Sequence, residues 1–347
     1  MKIAVLGFAH GHVDAYCNRW RACPDMGIEV VAGWDHDADR LARAAAQHGI
    51  AGVASLEDVL GMPGIDAVVV AAETSRHAEL VERAAVAAKA IVLQKPMALT
   101  MEEADRIVAA VERNGVPFTV AWQMRVDPQN LKIKGLIDSG DFGRLFMVRR
   151  RHGLGVMLNP AFLESWHVRP ELNRDIWADD AAHPIDFIYW LLGKPCSVWS
   201  DLGTLLDPSY PNDNGIAVFR YDDGLFAEVS CSFTCLAHEN TTEVIAENGV
   251  IVQNYGDAPS TAMKPPGAIC LKWYLKGRKE WTVSDMPGVG GQGERIANLA
   301  GPLADFLSGR RPPIATAEEG REALRMVLAC YESSEQGRRV SLEEAGH

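Results

Sequence analysis

The chain has 347 residues, of which 34 are basic and 46 acidic, giving a formal net charge of −12 with histidine neutral. A carboxylate excess of that size repels nucleic acid and anionic lipid, and 48% hydrophobic with 23% charged residues excludes a disordered chain or a coiled coil. At roughly 150 residues per domain the length corresponds to about two domains, and no apolar run reaches the roughly 20 residues that cross a bilayer.

Met1 to Gly7 opens like a leader peptide, but its apolar stretch is brief and runs directly into His10-Gly11-His12, which reads as a first strand, Lys2 to Leu6, and its turn. Further strands are expected at Ile28 to Trp34, Ala67 to Ala72, Ala90 to Leu93 and Pro117 to Ala121. Each is a continuous apolar run, as found where both faces of a sheet are covered. Between them Val13, Tyr16, Cys17 and Trp20 share one helical face, as do Ala104, Ile107, Val108 and Val111. Strand alternating with helix predicts an α/β domain on a doubly wound parallel sheet over residues 1–121.

Over residues 122–347 the character changes. A helix at Asp127 to Ser139 precedes strands near Leu145 to His152, Ser197 to Gly203, Ile216 to Tyr221, Leu225 to Phe233, Thr242 to Ala246 and Ile269 to Leu275. Turns at Asp222-Asp223-Gly224 and Glu247-Asn248-Gly249 join successive runs as hairpins, which predicts an antiparallel sheet. Helices are expected at Asp180 to Leu192, Ala297 to Leu307 and Ala317 to Glu335, and loops at Pro259 to Gly267 and Pro287 to Gly293. The seven cysteines, an odd number scattered along the chain, suit reduced thiols in a cytoplasm better than a disulfide framework. Cys231, Cys235 and His238 raise zinc, but Cys231, Phe233 and Cys235 share strand parity in an apolar segment and no second cysteine pair follows. No metal is expected.

The first turn, Gly7-Phe8-Ala9-His10-Gly11-His12, lies between a strand and a helix, where a dinucleotide fingerprint belongs. Gly7 and Ala9 are small enough for a tight turn and a close phosphate approach, while His12 stands where the third glycine would be. Asp35 ends the next strand near the spacing at which an acid contacts the adenosine ribose hydroxyls. That acid favours NAD over NADP, although His36 and Arg40 beside it could meet a 2′-phosphate. Gln94-Lys95-Pro96 falls at the carboxyl edge of the parallel sheet, where a lysine is rarely needed for packing. Asp179 and His183, at i and i+4, face one side of a helix start and are followed by Asp186. A histidine on such an apolar face is more often a core residue than a catalyst, and Asp179 could be a cap. In the arginine-rich segment Arg149 to Trp177, Arg150 and His152 fall on one strand face and Arg149 and Arg151 on the other. The arginines make a polar hydroxylated or acidic substrate plausible, against the plainer reading of solvated side chains.

In their order and spacing, four elements together resemble the Gfo/Idh/MocA family, which includes glucose-fructose oxidoreductase and inositol dehydrogenases. They are the glycine turn at Gly7, the Glu-Lys-Pro-like Gln94-Lys95-Pro96, the Asp-x-x-x-His-x-x-Asp pattern at Asp179, His183 and Asp186, and the tail Ala329-Cys330-Tyr331-Glu332-Ser333-Ser334. The resemblance implies a Rossmann domain followed by an α+β domain whose open antiparallel sheet often forms an oligomer interface, here a dimer or tetramer. It implies substrate held between nicotinamide and that second domain. By matching positions, Lys95, Asp179 and His183 correspond to the family's catalytic residues, and Gly7, Ala9, His10, Gly11, His12, Asp35, Lys95 and Pro96 to its cofactor site. Ala9 and His12 depart from the fingerprint glycines, Gln94 from the usual glutamate and Ala181 from the usual glycine.

The implied chemistry is hydride transfer between nicotinamide and a secondary alcohol of a sugar, polyol or related molecule. His183 would hold the proton and Lys95 would stabilise alkoxide charge, with Asp179 orienting either. Two other readings stay open. His10 and His12, with His152, His167, His183, Asp179 and Lys95, could serve a metal-dependent hydrolase, although an α/β barrel should keep alternating after residue 122. A nicotinamide-binding sensor without turnover is the other, hinted at by Gln94.

Overall fold

The computed structural model describes residues 1–237, 240–257 and 264–343, in two units. His238 and residues 259–263 of the expected loop lie outside the described residues. The first unit comprises Met1–Gln123, Arg169–Arg174 and Ile296–Leu324. The second comprises Met124–Val168, Asp175–Arg295 and the chain from Arg325 onward.

The first unit is built on β1 (Lys2–Leu6), β2 (Glu29–Trp34), β3 (Ala51–Gly52), β4 (Ile65–Val70), β5 (Ala90–Leu93) and β6 (Phe118–Val120). All pair in parallel in the order β3-β2-β1-β4-β5-β6. Ile3 to Leu6 and Ala67 to Val70 are wholly buried, so the strands carry apolar residues on both faces. Helices α1 (His12–Ala22), α2 (Ala38–His48), α3 (Leu56–Gly61), α4 (His77–Val86) and α5 (Met101–Asn114) link them. Asp37, Ser55 and Thr100 cap α2, α3 and α5 through their side chains. The strand order reverses at β1 and β4, where the turns leaving the two strands diverge and open a crevice at their carboxyl ends. The fourth strand stops at Val70, two residues before its expected end, because Ala71 and Ala72 line that crevice instead: Ala71 N–H donates to the Leu6 carbonyl and its own carbonyl accepts from His10 N–H.

Distant segments complete this unit. Thr74 donates to Asn173 of the short helix Pro170–Asn173, Trp20 Nε1 donates to the Ala300 carbonyl, and Thr119 Oγ1 accepts from Ile314 and Ala315 N–H. Val120 N–H donates to the Ala315 carbonyl, so this returning chain covers the β6 edge.

The second unit carries α6 (Pro128–Asp138) and a nine-stranded sheet of β7 (Leu145–Gly153), β8 (Ser197–Gly203), β9 (Asn214–Arg220), β10 (Phe226–Ser232), β11 (Thr241–Ala246), β12 (Gly249–Gln253), β13 (Leu271–Leu275), β14 (Thr282–Val283) and β15 (Val340–Ser341). Their order is β14-β13-β12-β11-β7-β10-β9-β8-β15. The sheet is mixed, since β7 lies parallel to β10 while its other pairs are antiparallel. Strand parity places Arg150 and His152 inward, both buried, and Arg149 and Arg151 outward. Arg150 is occupied there by the buried Asp257, itself paired with Arg295, so it is structural rather than a substrate contact.

Two helix expectations change. The helix expected from Asp180 begins as a π turn, Trp177–Ala181, and becomes α-helical only over Ala182–Leu192. Pro184 has no N–H to donate to the Asp180 carbonyl, so an unbroken α ladder cannot run through this point. The helix expected at Ala297 to Leu307 is two, Gln292–Asn298 and Ala300–Leu307, because Pro302 likewise cannot bond back to Asn298. The last helix spans Ala317–Gln336.

Candidate active site

The crevice of the first unit begins at Gly7, whose φ is +86° and whose N–H donates to the Trp34 carbonyl at 2.7 Å. A Cβ here would stand 2.5 Å from the Ala72 Cα, so both conformation and space demand glycine. Ala9 follows, and His10 turns inward, 2% exposed, with its ring edge-on to that of His12 at 4.3 Å. His10 Nδ1 accepts from His12 N–H at 3.4 Å. Gly11 precedes α1, and a Cβ on it would meet nothing within 4 Å, so the helix start faces open space. A small-residue turn against an open helix N-terminus fits a pyrophosphate.

Asp35 follows β2 with its side chain fully buried. Its Oδ2 accepts from Phe8 N–H and Arg40 Nε, both at 2.7 Å, and its Oδ1 from Asp37 N–H at 2.9 Å and Arg40 Nη2 at 2.8 Å. Arg40 Nη2 also lies 2.9 Å from Oε1 of Glu73, a buried carboxylate just beyond β4. Burial works against the Arg40 charge, but the bonds to Asp35 and Glu73 outweigh it and raise its pKa. His36 Nδ1 lies 3.4 Å from Asp35 and 3.7 Å from Glu73.

At the end of β5, Lys95 is 2% exposed, and its peptide bond to Pro96 is cis. Gln94, fully buried, donates through Nε2 to the Tyr16 hydroxyl at 2.8 Å. Burial pushes the Tyr16 pKa upward, so it is a neutral phenol. His77, at the start of α4, braces this segment: Nδ1 is 3.0 Å from the Pro96 carbonyl and 3.3 Å from that of Met97, and Nε2 is 3.2 Å from the Ala72 carbonyl.

In the second unit, Asp179 lies in the π turn and His183 in the helix after it. Asp179 Oδ2 accepts from His167 Nδ1 at 2.8 Å, and the His167 ring stacks against Trp166 at 4.0 Å and Phe162 at 5.2 Å. His183 Nε2 instead lies 3.6 Å from Asp180 Oδ1, and its ring is 6.4 Å from that of His152. Asp186 takes both its oxygens to Arg125, at 2.7 and 3.0 Å, in a buried bidentate pair. It anchors the helix. Glu73 and His77 were absent from the expectations, and His167 entered them only as a candidate metal ligand, not as the partner of Asp179. Glu73 carried a legible signal, the same one that marked Lys95: a charge just past an apolar strand at the carboxyl edge. His77 and His167 act on a loop and on an aspartate that only the fold brings to them.

Residues 1–122 match a family model described as an oxidoreductase family with an NAD-binding Rossmann fold, and residues 130–252 match the GFO/IDH/MocA C-terminal domain. Inositol 2-dehydrogenase 3 of Saccharopolyspora erythraea is 30% identical over 248 residues, 70% of each chain. The 1,5-anhydro-D-fructose reductase of Ensifer adhaerens is 26% identical over 327 residues, 91% of this chain and 92% of that one. Levoglucosan dehydrogenase, solved in complex with NADH and levoglucosan, shares the fold with a TM-score of 0.84 at 20% identity, over 99% of this chain and 100% of that one. The WlbA dehydrogenase of Bordetella pertussis, solved with NADH and UDP-GlcNAcA, does so with a TM-score of 0.80 at 23% identity, over 99% of each.

Proposed function

This chain belongs to the GFO/IDH/MocA family of NAD-binding oxidoreductases, and from that premise we propose that it oxidises a secondary alcohol of a sugar, polyol or related hydroxylated molecule. Bound nicotinamide supplies the hydride acceptor. The turn Gly7, Ala9, His10, Gly11 and His12 receives the pyrophosphate, Asp35 the adenosine ribose, and Lys95 with Pro96 borders the nicotinamide end. His183 takes the hydroxyl proton, since an imidazole of ordinary pKa near 6.5 holds and releases one near neutrality. Lys95 stabilises negative charge on the substrate oxygen. Asp179 orients His167, to which it is bonded, and Asp180, 3.6 Å from His183 Nε2, stands beside the acid–base group.

The observation that carries this reading is a lysine buried at the carboxyl edge of a parallel sheet that also holds a glycine-only turn and an acid after β2. The names of the relatives point to a hydroxylated ring as substrate. The test is reduction of NAD by the purified chain across a panel of sugars, polyols and their acids. His183→Ala should lower turnover by roughly 10² to 10⁴ while the dissociation constant for NADH stays within a factor of a few. NADH binding with no turnover on any member of the panel would favour the sensor. The barrel that a hydrolase reading needs is replaced here by two open sheets.

We further propose a homo-oligomer formed through the outward face of the nine-stranded sheet. Across the strands its central row runs Trp199, Val218, Glu228, Arg149, Glu243, Val252 and Lys272, none of them buried. Apolar residues beside charges of both signs suit a second copy of the same face. All seven cysteines are free thiols, which supports a reducing compartment, and among the described residues no helix is long and apolar enough to cross a membrane.

A further inference from the structure

The end of β2 and the end of β4 each contribute a buried carboxylate, Asp35 and Glu73, and Arg40 bonds to both. Asp35 cannot follow the guanidinium if it moves, because backbone N–H groups of Phe8 and Asp37 hold its two oxygens at 2.7 and 2.9 Å. Each oxygen already accepts from one backbone and one Arg40 donor, about the full capacity of a carboxylate. A ribose diol can draw on Asp35 only if Arg40 gives up some of those bonds, and Glu73 is the anion left to hold it. Taken alone, an arginine five residues after the strand-end acid would be a partner for a 2′-phosphate. Here it is tied back.

We infer that Glu73 sets the coenzyme preference, holding Arg40 so that the guanidinium serves the ribose-binding acid and is not offered to a 2′-phosphate. This rests on the reading of Asp35 as the ribose-binding residue. Two carboxylates against one guanidinium give Asp35, Glu73 and Arg40 a formal charge of −1. A phosphate brings roughly −1.5 to −2 more. To meet it, Arg40 would break three charge-assisted hydrogen bonds and leave two buried carboxylates uncompensated. Glu73 thus opposes NADP twice, by repulsion and by restraining the one cation that could answer it.

The experiment is fluorescence titration of the purified chain with NADH and with NADPH, with no substrate present, reading the ratio of the two dissociation constants. The wild type should favour NADH. Glu73→Gln removes the charge at nearly constant shape and should shrink that ratio by about tenfold, the size of one partly buried charge interaction. Glu73→Gln combined with Arg40→Ala should lose the gain in NADPH affinity, because the released guanidinium is what binds the phosphate. An unchanged ratio in Glu73→Gln, or a wild type that prefers NADPH, overturns the inference. If Glu73→Gln does not fold, Arg40→Gln decides. The restraint predicts that NADPH is not weakened relative to NADH, whereas an arginine already facing the phosphate predicts selective loss of NADPH. Asp35→Ala separates the two levels of the argument. Selective weakening of NADH there, with no effect of Glu73→Gln, rejects the role of Glu73 alone, while no effect of Asp35→Ala on either coenzyme rejects the ribose reading and the inference with it.

Discussion

His77 reaches three backbone carbonyls from a fully buried ring, and burial holds its pKa down to about 4. An unfolded histidine titrates near 6.5, so between these values the unfolded chain binds a proton that the folded chain refuses. Stability must therefore fall as the pH drops from about 6.5 toward 4, by roughly 2 kcal/mol between pH 7 and pH 5. Urea unfolding of the wild type and of His77→Gln at the two pH values checks this: the mutant should lose that much less on acidification. An identical pH dependence in the two proteins would mean that His77 is protonated in the fold. At this scale the sequence is read best where a residue type is costly in its setting. A lysine after an apolar strand marks itself, and so does a glycine in a strand-to-helix turn. Asp179 does not, because its partner His167 lies in a single 3-10 turn, Trp166–Val168, too short to show periodicity, whereas His183 is next to Asp180 simply by chain proximity.

The π turn Trp177–Ala181 and the helix after it depend on tertiary anchors more than on local propensity. Asp175 accepts from Ala178 N–H at 3.0 Å, from Asn212 at 2.7 Å and from the Tyr331 hydroxyl, which fixes the start of the turn. Asp186 fixes the helix through Arg125. Asp186→Asn keeps the shape but leaves a buried guanidinium without its counter-charge, a change that costs roughly 3–5 kcal/mol. Chemical denaturation should show that loss, and turnover at saturating NAD should fall as the His183 helix loosens. Unaltered stability would show that the pair is dispensable. Helical periodicity located the helix, but its first turn was out of reach, since the break comes from Pro184 denying one carbonyl its donor. The same physics divided the helix expected at Ala297 to Leu307.

For the molecule as a whole, alternating runs and hairpin turns carried the class of each sheet, because both are local signals. The place of β7 is not local: first of its sheet in sequence, it lies between β10 and β11, parallel to one and antiparallel to the other. Its inward parity was legible in Arg149 to His152, and its neighbours were not. The outward face of the same sheet supplies a prediction at this scale. Val218→Asp places a charge beside Trp199 in that row and should convert the assembly to a single copy in sedimentation velocity, with far-ultraviolet circular dichroism unchanged. A wild type that sediments as a monomer would dismiss the proposed self-association.

The first unit is discontinuous along the chain, and this has a consequence for its birth. As synthesis proceeds, the nascent protein presents all six strands of the parallel sheet long before the last of its covering: Trp20 lacks the Ala300 carbonyl, and Thr119 and Val120 lack Ile314 and Ala315, until nearly the entire polypeptide has left the ribosome. The exposed β6 edge is a template for pairing with other chains during that interval. A fragment ending at Gln123 should therefore aggregate on expression, and adding residues 296–324 as a separate peptide should restore part of its solubility, with light scattering as the measure. A soluble, cooperatively melting 1–123 fragment would show instead that the N-terminal portion matures while the remainder is still being translated.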